Sequence, residues 1–342
     1  MSKKNSSVNL KKDYKDLSAI YLNFKKKLDV LRRKNILVAV SGGPDSLALA
    51  ALTKVYAYKK KIKFHYVLVD HNLRKNSQQE SKKVKNLLRK KKINLKIIKN
   101  KKKITKSIQA EARNIRYQIL LNYCKTNNIK TILTAHNLED QVETFLMRLS
   151  RGSGLKGLSA MRFLSKINGK VNLYRPLLDI KKKSLINISK KTFGEYIKDP
   201  SNKNSKFLRS RVRNLKKPLE KSGIKYEQIF KSIQNLSFSK STLDEYLSDI
   251  FKKLIIKKGK EIFINFKNFK ALRKDIQIAI INESIKKIKK NYYDLRSKKV
   301  QNLINALKRD DFKKATLGGC IFVRKDENLC LKVEKLKNFN KI

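Results

Sequence analysis

The stretch Ile36-Leu37-Val38-Ala39-Val40 runs directly into Ser41-Gly42-Gly43-Pro44-Asp45-Ser46. The first five residues are continuously apolar and largely β-branched, which predicts a strand that is covered on both faces. Downstream of Ser46, apolar residues recur at helical spacing up to about Lys59. A glycine-rich turn between a buried strand and a helix is typical of a phosphate-binding loop, because the helix offers its positive N-terminal end to an anion.

The same alternation of strand and helix continues to about residue 135. Further strands are expected at 64–69, 93–98 and 131–135, with helices at 78–91 and 107–125. This pattern predicts an α/β fold with a doubly wound parallel sheet, whose ligands bind beyond the carboxyl ends of the strands.

Three regions are expected along the chain. Residues 1–30 read as a polar N-terminal lead, residues 31–215 as the α/β domain, and residues 216–342 as a basic C-terminal region. Within them, a helix is expected from Lys181 to Phe193 and a helical region from about Tyr226 to Lys290. The C-terminal region is expected to be mainly helical to about residue 310. A small β-containing part follows, a hairpin over 317–333 that turns at 325–328.

The charge of the chain is extreme. Lys and Arg total 85 of 342 residues against 27 Asp and Glu, a formal net charge of +58. A polyanionic partner such as nucleic acid explains this excess. The alternative is a coding bias toward Lys, Asn and Ile, which would add lysines to solvated surfaces.

The three cysteines, Cys124, Cys320 and Cys330, lie far apart and form neither a disulfide framework nor a CxxC pair. The first residues are polar rather than those of a signal peptide, and no apolar run approaches the roughly 20 residues of a membrane span. The sequence therefore predicts a cytoplasmic protein without a membrane partner.

The glycine loop has the chemistry of an ATP site. Gly42 and Gly43 let backbone N–H groups converge on an anion, and Ser41 and Ser46 add hydroxyl donors. Asp45 would be repelled by phosphate unless Mg²⁺ bridges the two, which makes it a candidate metal ligand. The loop, which includes Pro44, lacks the GK[ST] ending of a P-loop NTPase.

Three further segments are expected at or near the same sheet edge. They are Asp70-His71-Asn72-Leu73-Arg74, then Glu111 to Tyr117, and Ala135 to Thr144. Helical spacing places Arg113, Arg116 and Tyr117 on one face, suited to clamping phosphate or stacking on a base. Asp140 and Glu143 share a helix face that His136 precedes, a group able to hold a metal or relay protons. The structural alternatives are turn residues, a solvated helix face paired with Glu111, and helix capping by acids.

The hexapeptide at 41–46 resembles the SGGxDS signature of the N-type ATP pyrophosphatases, the PP-loop superfamily with an adenine nucleotide alpha hydrolase-like fold. The run Arg148-Leu149-Ser150-Arg151-Gly152-Ser153-Gly154-Leu155-Lys156-Gly157-Leu158 is more specific. With the segments above, Arg175-Pro176-Leu177-Leu178, Asp199-Pro200-Ser201-Asn202 and Arg209-Ser210-Arg211-Val212-Arg213, it resembles the tRNA(Ile)-lysidine synthetases over about residues 30–220. Two departures are visible: Asn137 and Glu139 replace one histidine and one acid of the family pattern, and Asn214 lies near an expected histidine.

The resemblance implies a reaction and its participants. ATP would adenylate the wobble cytidine in the CAU anticodon of tRNA(Ile), and free L-lysine would displace AMP to form lysidine, with pyrophosphate released in the first step. The ATP site would be Ser41, Gly42, Gly43, Pro44, Asp45 and Ser46, with Mg²⁺ on Asp45.

The other implied roles are distributed over several segments. Arg113 would clamp phosphate or the activated base, while His136, Asp140 and Glu143 would bind the lysine ammonium and accept its proton. The implied tRNA contacts are Arg74, Arg116, Arg151, Lys156, Arg209, Arg211 and Arg213. A homodimer is left open.

Two other functions fit parts of the sequence. A tRNA thiolase would share the ATP loop, but sulfur transfer needs paired or clustered cysteines, and Cys124 is the only cysteine in the α/β domain. A non-catalytic RNA-binding protein with a decayed nucleotide fold would not be expected to retain all five of the residues Ser41, Asp45, Ser46, Arg113 and His136.

Overall fold

The chain divides into two units in a computed structural model, Met1–Ser237 and Phe238–Ile342. The structure describes residues 2–58, 60–73, 76–102, 108–167, 169–197, 207–289 and 297–334. Arg74 and the segment 199–202 lie outside the described residues.

The first unit contains a six-stranded sheet. Its strands are β1 (Asn35–Val40), β2 (Lys63–Asp70), β3 (Leu95–Lys99), β4 (Thr131–Leu133), β5 (Leu164–Ile167) and β6 (Val171–Tyr174). The strand order is β3-β2-β1-β4-β6-β5, and only the edge strand β5 pairs antiparallel. The predicted doubly wound parallel sheet is confirmed.

Helices cover both faces of this sheet. The helices in this part of the chain are α1 (Ser2–Asp29), α2 (Pro44–Ala57), α3 (Ser77–Lys90), α4 (Ile108–Thr126), α5 (Leu138–Leu149), α6 (Leu155–Leu158), α7 (Lys182–Phe193), α8 (Leu208–Asn214) and α9 (Lys216–Lys221), followed by α10 (Tyr226–Leu254). Ile36, Val38 and Val40 pack with α1, α2, α3 and α7, whereas Leu37 packs with α4 on the opposite face. Both faces of β1 are therefore buried, which explains its continuous apolar run.

The N-terminal segment differs from the expected polar lead, because residues 2–29 form α1. Phe24 and Leu28 of this helix are fully or almost fully buried in the core against α2. The apolar positions Leu17, Ile20, Tyr21, Phe24 and Leu28 recur at helical spacing, but numerous lysines between them conceal the pattern.

The second unit contains a five-stranded antiparallel sheet. Its strands are β7 (Ile255–Lys258), β8 (Glu261–Asn265), β9 (Lys314–Leu317), β10 (Cys320–Lys325) and β11 (Asn328–Val333), in the order β7-β8-β11-β10-β9. Helices α11 (Phe266–Ala271), α12 (Lys274–Ile288) and α13 (Ser297–Leu307) complete it. Ile262, Ile264 and Phe322 from the sheet share a core with Ile281 and Leu303 from the helices.

One prediction for this unit is confirmed and one holds only in part. The hairpin expected over 317–333 exists as β10 and β11, which pair from Lys325 and Asn328 outward. The helical region expected over 226–290 is interrupted by the hairpin of β7 and β8. Gly259, with φ of +59°, permits this turn, since a left-handed conformation is unfavourable for other residues.

Candidate active site at the carboxyl edge of the parallel sheet

The glycine loop connects the end of β1 to the start of α2. Gly43 is the N-cap of α2 and offers no side-chain cap, so the first N–H groups of the helix remain available to an anion. The Ser46 hydroxyl accepts a hydrogen bond from Ser41 N (3.1 Å) and donates one to Gly43 O (2.9 Å), which fixes the shape of the loop. These features fit a phosphate group.

Gly42 is required by its conformation and by its surroundings. Its φ is +82°, and a Cβ placed there would lie 2.5 Å from Val84 Cγ2. Its carbonyl oxygen accepts a hydrogen bond from Ile197 N at 3.0 Å. The loop is therefore held close to α3 and to the segment after α7.

Asp45 lies in the first turn of α2 with a carboxylate that is poorly solvated. Burial raises its pKa to about 6, and the nearby charges of Asp140 and Glu139 add to this, while the charge of Lys182 and the amide of Asn137 oppose it. Its Oδ1 is buried without a hydrogen-bond partner. An acid in this state fits a cation, because a bound cation would compensate the buried negative charge.

Asp70 and His71 follow β2 at the same edge. Asp70 Oδ1 accepts a hydrogen bond from Asn72 N (2.9 Å), while its Oδ2 is buried without a partner. Arg116 Nε donates to His71 Nε2 at 3.3 Å. Burial, assisted by the charge of Arg116, lowers the pKa of His71 to about 4, so this imidazole is neutral near pH 7.

His136 follows β4 and is also a neutral imidazole. Its Nδ1 shares a hydrogen bond of 2.9 Å with Thr134 Oγ1. Burial lowers its pKa to about 3, and four positive charges add to this effect: those of Arg175, Arg113, Arg209 and Arg116. The guanidinium of Arg113 also lies over the ring of Tyr117, 5.1 Å from its centroid. The structure thus places Arg113 and His136, assigned from separate segments, close enough to interact electrostatically.

Asp140 and Glu143 are engaged by arginines of α8. Glu143 is 2% exposed, and its carboxylate accepts hydrogen bonds from Arg209 Nε (2.7 Å) and Arg213 Nε (2.7 Å). Arg209 Nη2 donates to Asp140 Oδ1 at 2.5 Å. The acids, which the resemblance assigns to lysine binding, therefore contact arginines that it assigns to tRNA binding. Both assignments stay predictions.

Asp140 has a second structural role at the start of α5. Its side chain accepts from Asn137 N (3.1 Å) and Asn137 Oδ1 accepts from Asp140 N (2.9 Å), forming a capping box. Glu139 accepts from Lys182 N at 2.8 Å and pairs with Lys216. The alternative reading of these acids as helix-capping residues therefore holds at the start of α5. The capping box exists together with the cluster of ion pairs between α5 and α8.

The remaining basic residues of the prediction lie outside this cluster. Arg151 and Lys156 are exposed in the loop after α5 and in α6, and Arg211 is exposed on α8. Arg148 supports that loop by donating to Gly157 O (2.6 Å) and Ala160 O (3.0 Å). Local structure therefore accounts for part of the run from Arg148 to Leu158.

Sequence reasoning assigned no role to two basic residues at this edge. Lys182 begins α7, and its charge acts on Asp45. Arg175, the first residue after β6, lies in a motif that was noticed only as part of the resemblance. The placement of Arg175 directly after a buried parallel strand was the available signal. In the part of the chain that the structure describes, no group of three or more His, Cys, Asp or Glu residues is arranged to hold a metal ion.

Comparison with known proteins agrees with this geometry. The model of the PP-loop domain family matches residues 14–219. The parallel sheet and the loop at its edge thus define a PP-loop protein, a class that uses ATP.

Two relatives define the family more narrowly. A tRNA(Ile)-lysidine synthase of Wolbachia pipientis wMel is 33% identical over 301 residues, which cover 86% of this chain and 70% of that protein. A second, from the Wolbachia of Brugia malayi (strain TRS), is 32% identical over 307 residues, 88% of this chain and 71% of that protein. The chain belongs to the tRNA(Ile)-lysidine synthase family.

A solved structure shares the fold. The U34-tRNA thiolase NcsA from Methanococcus maripaludis with its [4Fe-4S] cluster superimposes with a TM-score of 0.55 at 20% identity, over 65% of this chain and 78% of the thiolase. This likeness concerns the architecture alone. No helix in the described ranges combines the length and apolarity needed to cross a membrane.

Proposed function

We propose that this protein ligates free lysine to the wobble cytidine of the CAU anticodon of tRNA(Ile), using ATP and releasing AMP and pyrophosphate. The observation that carries the proposal is the convergence at one sheet edge of an uncapped helix terminus, an acid suited to a cation, and a neutral histidine surrounded by arginines. Membership of the tRNA(Ile)-lysidine synthase family supplies the substrates.

The first step is adenylation of the cytidine. The base oxygen attacks the α-phosphate of ATP, and pyrophosphate leaves toward the N-terminus of α2. Backbone N–H groups at Gly43 and in the first turn of α2 stabilise the leaving charge, because they are already oriented and need no reorganisation. Arg113 would clamp a phosphate or the activated base. Asp45 would hold Mg²⁺, which when bound neutralises phosphate charge.

The second step is attack by the lysine amine. An amine of pKa about 10.4 is neutral in roughly one molecule in 2,500 at pH 7, a deficit of about 4–5 kcal/mol, so its proton must be removed. His136 is neutral and can accept a proton, but burial, together with the charges of the arginines around it, makes it a weak base in the unliganded protein. Bound phosphate would offset these charges and raise its pKa, so proton acceptance would depend on a bound substrate.

Asp140 and Glu143 are proposed to bind the lysine ammonium. In the structure their oxygens accept hydrogen bonds from Arg209 and Arg213, which stand where a second cation would bind. Lysine binding therefore requires either a shared carboxylate or a shift of α8. The exposed Arg151, Lys156 and Arg211 are proposed to contact the tRNA backbone, with Arg74 and Arg116 added by the family resemblance.

The thiolase alternative has less support from the site. Cys124 is 1% exposed in the core between α4 and the sheet, and burial raises its pKa to about 12. A thiol in this state is a poor nucleophile and a poor metal ligand, because both roles need the thiolate.

The proposal is tested by incubating the protein with labelled lysine, ATP and a panel of tRNAs. We expect label only in tRNA(Ile) with a CAU anticodon, only with ATP, and with one pyrophosphate released per lysine. Asp45→Ala and Arg113→Ala should lose this activity, whereas Asp326→Asn, an exposed acid in the turn after β10, should keep it. Absence of labelled tRNA with the unmodified protein would exclude the proposed reaction. Light scattering on the same sample tests the homodimer.

A further inference from the structure

Arg175 is a buried arginine whose guanidinium is fixed in place. It follows β6 directly and is 7% exposed. Its Nη1 donates to Arg162 O (2.8 Å) and to Ser165 Oγ (3.0 Å), and its backbone N donates to Phe163 O (2.8 Å). Arg162 and Phe163, which precede β5, and Ser165 within β5 therefore position this side chain.

The positive charge of Arg175 has no counter-charge in the described residues. No carboxylate there forms an ion pair with it, and its Nε is buried without a hydrogen-bond partner. Burial lowers its pKa, Tyr117 opposes this effect, and the charge of Arg113 adds to it. Arg209, by comparison, is held by Asp140 and Glu143. A buried, uncompensated charge is strongly unfavourable, so we expect it only where an anion completes the site.

The surroundings of Arg175 select the type of anion. Its charge and that of Arg113 both act on His136, so these groups border an electropositive space at the carboxyl edge of the sheet. β6 pairs with β4, and β4 pairs with β1, the strand that leads into the glycine loop at residues 41–46. The planar guanidinium forms paired hydrogen bonds with tetrahedral oxyanions, and phosphate is the anion that both ATP and RNA contain.

We propose that Arg175 is a phosphate-binding residue of this site, acting opposite Arg113 on one phosphate group of the bound substrate. The phosphate belongs either to the nucleotide or to the RNA backbone beside the modified base. The inference rests on the proposed function only for the choice of these two ligands. It assigns a role in binding, which can be measured without turnover.

The test uses the full chain and two variants of Arg175. Arg175→Met removes the charge, and Arg175→Lys keeps the charge but not the planar fork. Lys166→Met is the matched control, because it removes an exposed positive charge from β5 and leaves the anchors of the Arg175 guanidinium in place. Binding of ATP without RNA and of a CAU anticodon stem-loop without ATP is measured by calorimetry, together with thermal unfolding of each unliganded protein.

We expect Arg175→Met to weaken one of the two ligands by about tenfold or more, and Arg175→Lys to weaken the same ligand by a smaller factor. Lys166→Met should bind both within about twofold of the unmodified protein. Loss on the ATP arm identifies a nucleotide phosphate, and loss on the RNA arm identifies a backbone phosphate. If Arg175→Met fails to fold, Arg175→Lys decides alone.

The inference would be overturned if a folded Arg175→Met variant bound both ligands with the affinity of the unmodified protein. If only Arg175→Lys folds, the same result in that variant would overturn it. Either result would leave the proposed function standing. An unmodified protein that binds neither ligand would overturn both. An equal loss in Lys166→Met and Arg175→Met would show that binding responds to any positive charge around β5 and not to the buried guanidinium, and would also overturn the inference.

Discussion

At the scale of single residues, burial sets the ionisation of this edge. Asp45 has a raised pKa because its carboxylate is poorly solvated, and His71 and His136 have lowered pKa values for the same reason. Burial thus favours the neutral form of an acid and of two bases around one space. Charged ligands can therefore change the ionisation of these groups when they bind. This is expected of a site proposed to bind two anionic substrates, ATP and tRNA, and one cationic substrate, lysine.

His136 gives the first test of this environment. In the unfolded chain it binds a proton near pH 6.5, but in the folded protein only near pH 3, so the unfolded state binds more protons between these values. Its contribution to stability is present above pH 6.5 and is lost as the pH falls. The positive charges of Arg175, Arg113, Arg209 and Arg116 act on it and favour its neutral form.

We expect the free energy of unfolding to fall between pH 7 and pH 5 by about 1–2 kcal/mol more in the unmodified protein than in His136→Asn. Guanidinium unfolding at the two pH values measures this difference. An identical fall in both proteins would show that the imidazole is solvated, and would contradict the description of the site.

Gly42 gives a second test at this scale. Gly42→Ala should reduce stability by about 1–3 kcal/mol, because alanine is strained at φ of +82° and its Cβ would lie 2.5 Å from Val84 Cγ2. Gly43→Ala is the matched control. Gly43 has φ of −71°, and a Cβ there would meet nothing closer than Ser41 Oγ at 3.7 Å. Thermal unfolding of the two variants should separate them clearly, and equal midpoints would contradict the packing of the loop.

At the scale of elements, the parts that the sequence predicted are those with one dominant signal. β1, α2, β2 and α3 follow from hydrophobic periodicity, and the parallel sheet follows from their alternation. Helix α1 was missed because lysines separate its apolar positions, although Phe24 is fully buried. The β7 and β8 hairpin was missed because Ile255 to Ile264 contains apolar residues compatible with either structure, and only Gly259 marks the turn.

The site was predictable at the level of segments but not of contacts. Sequence patterns placed the loop at 41–46 and the segment around His136 at one edge, since carboxyl ends of parallel strands meet there. The pairing of Glu143 with Arg209 and Arg213 joins residues 66 and 70 positions apart, and no local pattern encodes it. Arg175 is buried by tertiary packing, which its sequence motif does not reveal.

The ionic cluster between α5 and α8 supports a prediction at this scale. Glu143→Gln should destabilise the protein by about 2–4 kcal/mol. A neutral amide at this buried position would no longer compensate the positive charges of Arg209 and Arg213. Arg211→Gln, on the exposed face of the same helix, should change stability by no more than about 0.5 kcal/mol. Urea unfolding of both variants measures the contrast. A neutral Glu143→Gln would show that α8 is held by other contacts.

At the scale of the whole molecule, the formal charge of +58 is the dominant property. If these charges serve RNA binding, complex formation releases counterions from the phosphates that the protein neutralises. If they reflect coding bias, most lysines lie in water and contribute little at physiological salt, because their field is screened within about 8 Å. The two explanations differ in how binding responds to salt and to the loss of single charges.

We expect the affinity for tRNA(Ile) to fall steeply with salt, with a slope of about −0.7 to −0.9 per neutralised phosphate. Replacing both Arg151 and Arg211 by Gln should make that slope shallower by up to about two units, since each is exposed and proposed to contact a phosphate. Replacing the exposed Lys314 and Lys325 of the second unit in the same way tests whether its sheet also neutralises phosphate. Filter binding at a series of salt concentrations measures all three proteins. A flat response would favour coding bias, whereas a steep response unchanged in both pairs of variants would place the RNA on another surface of the chain.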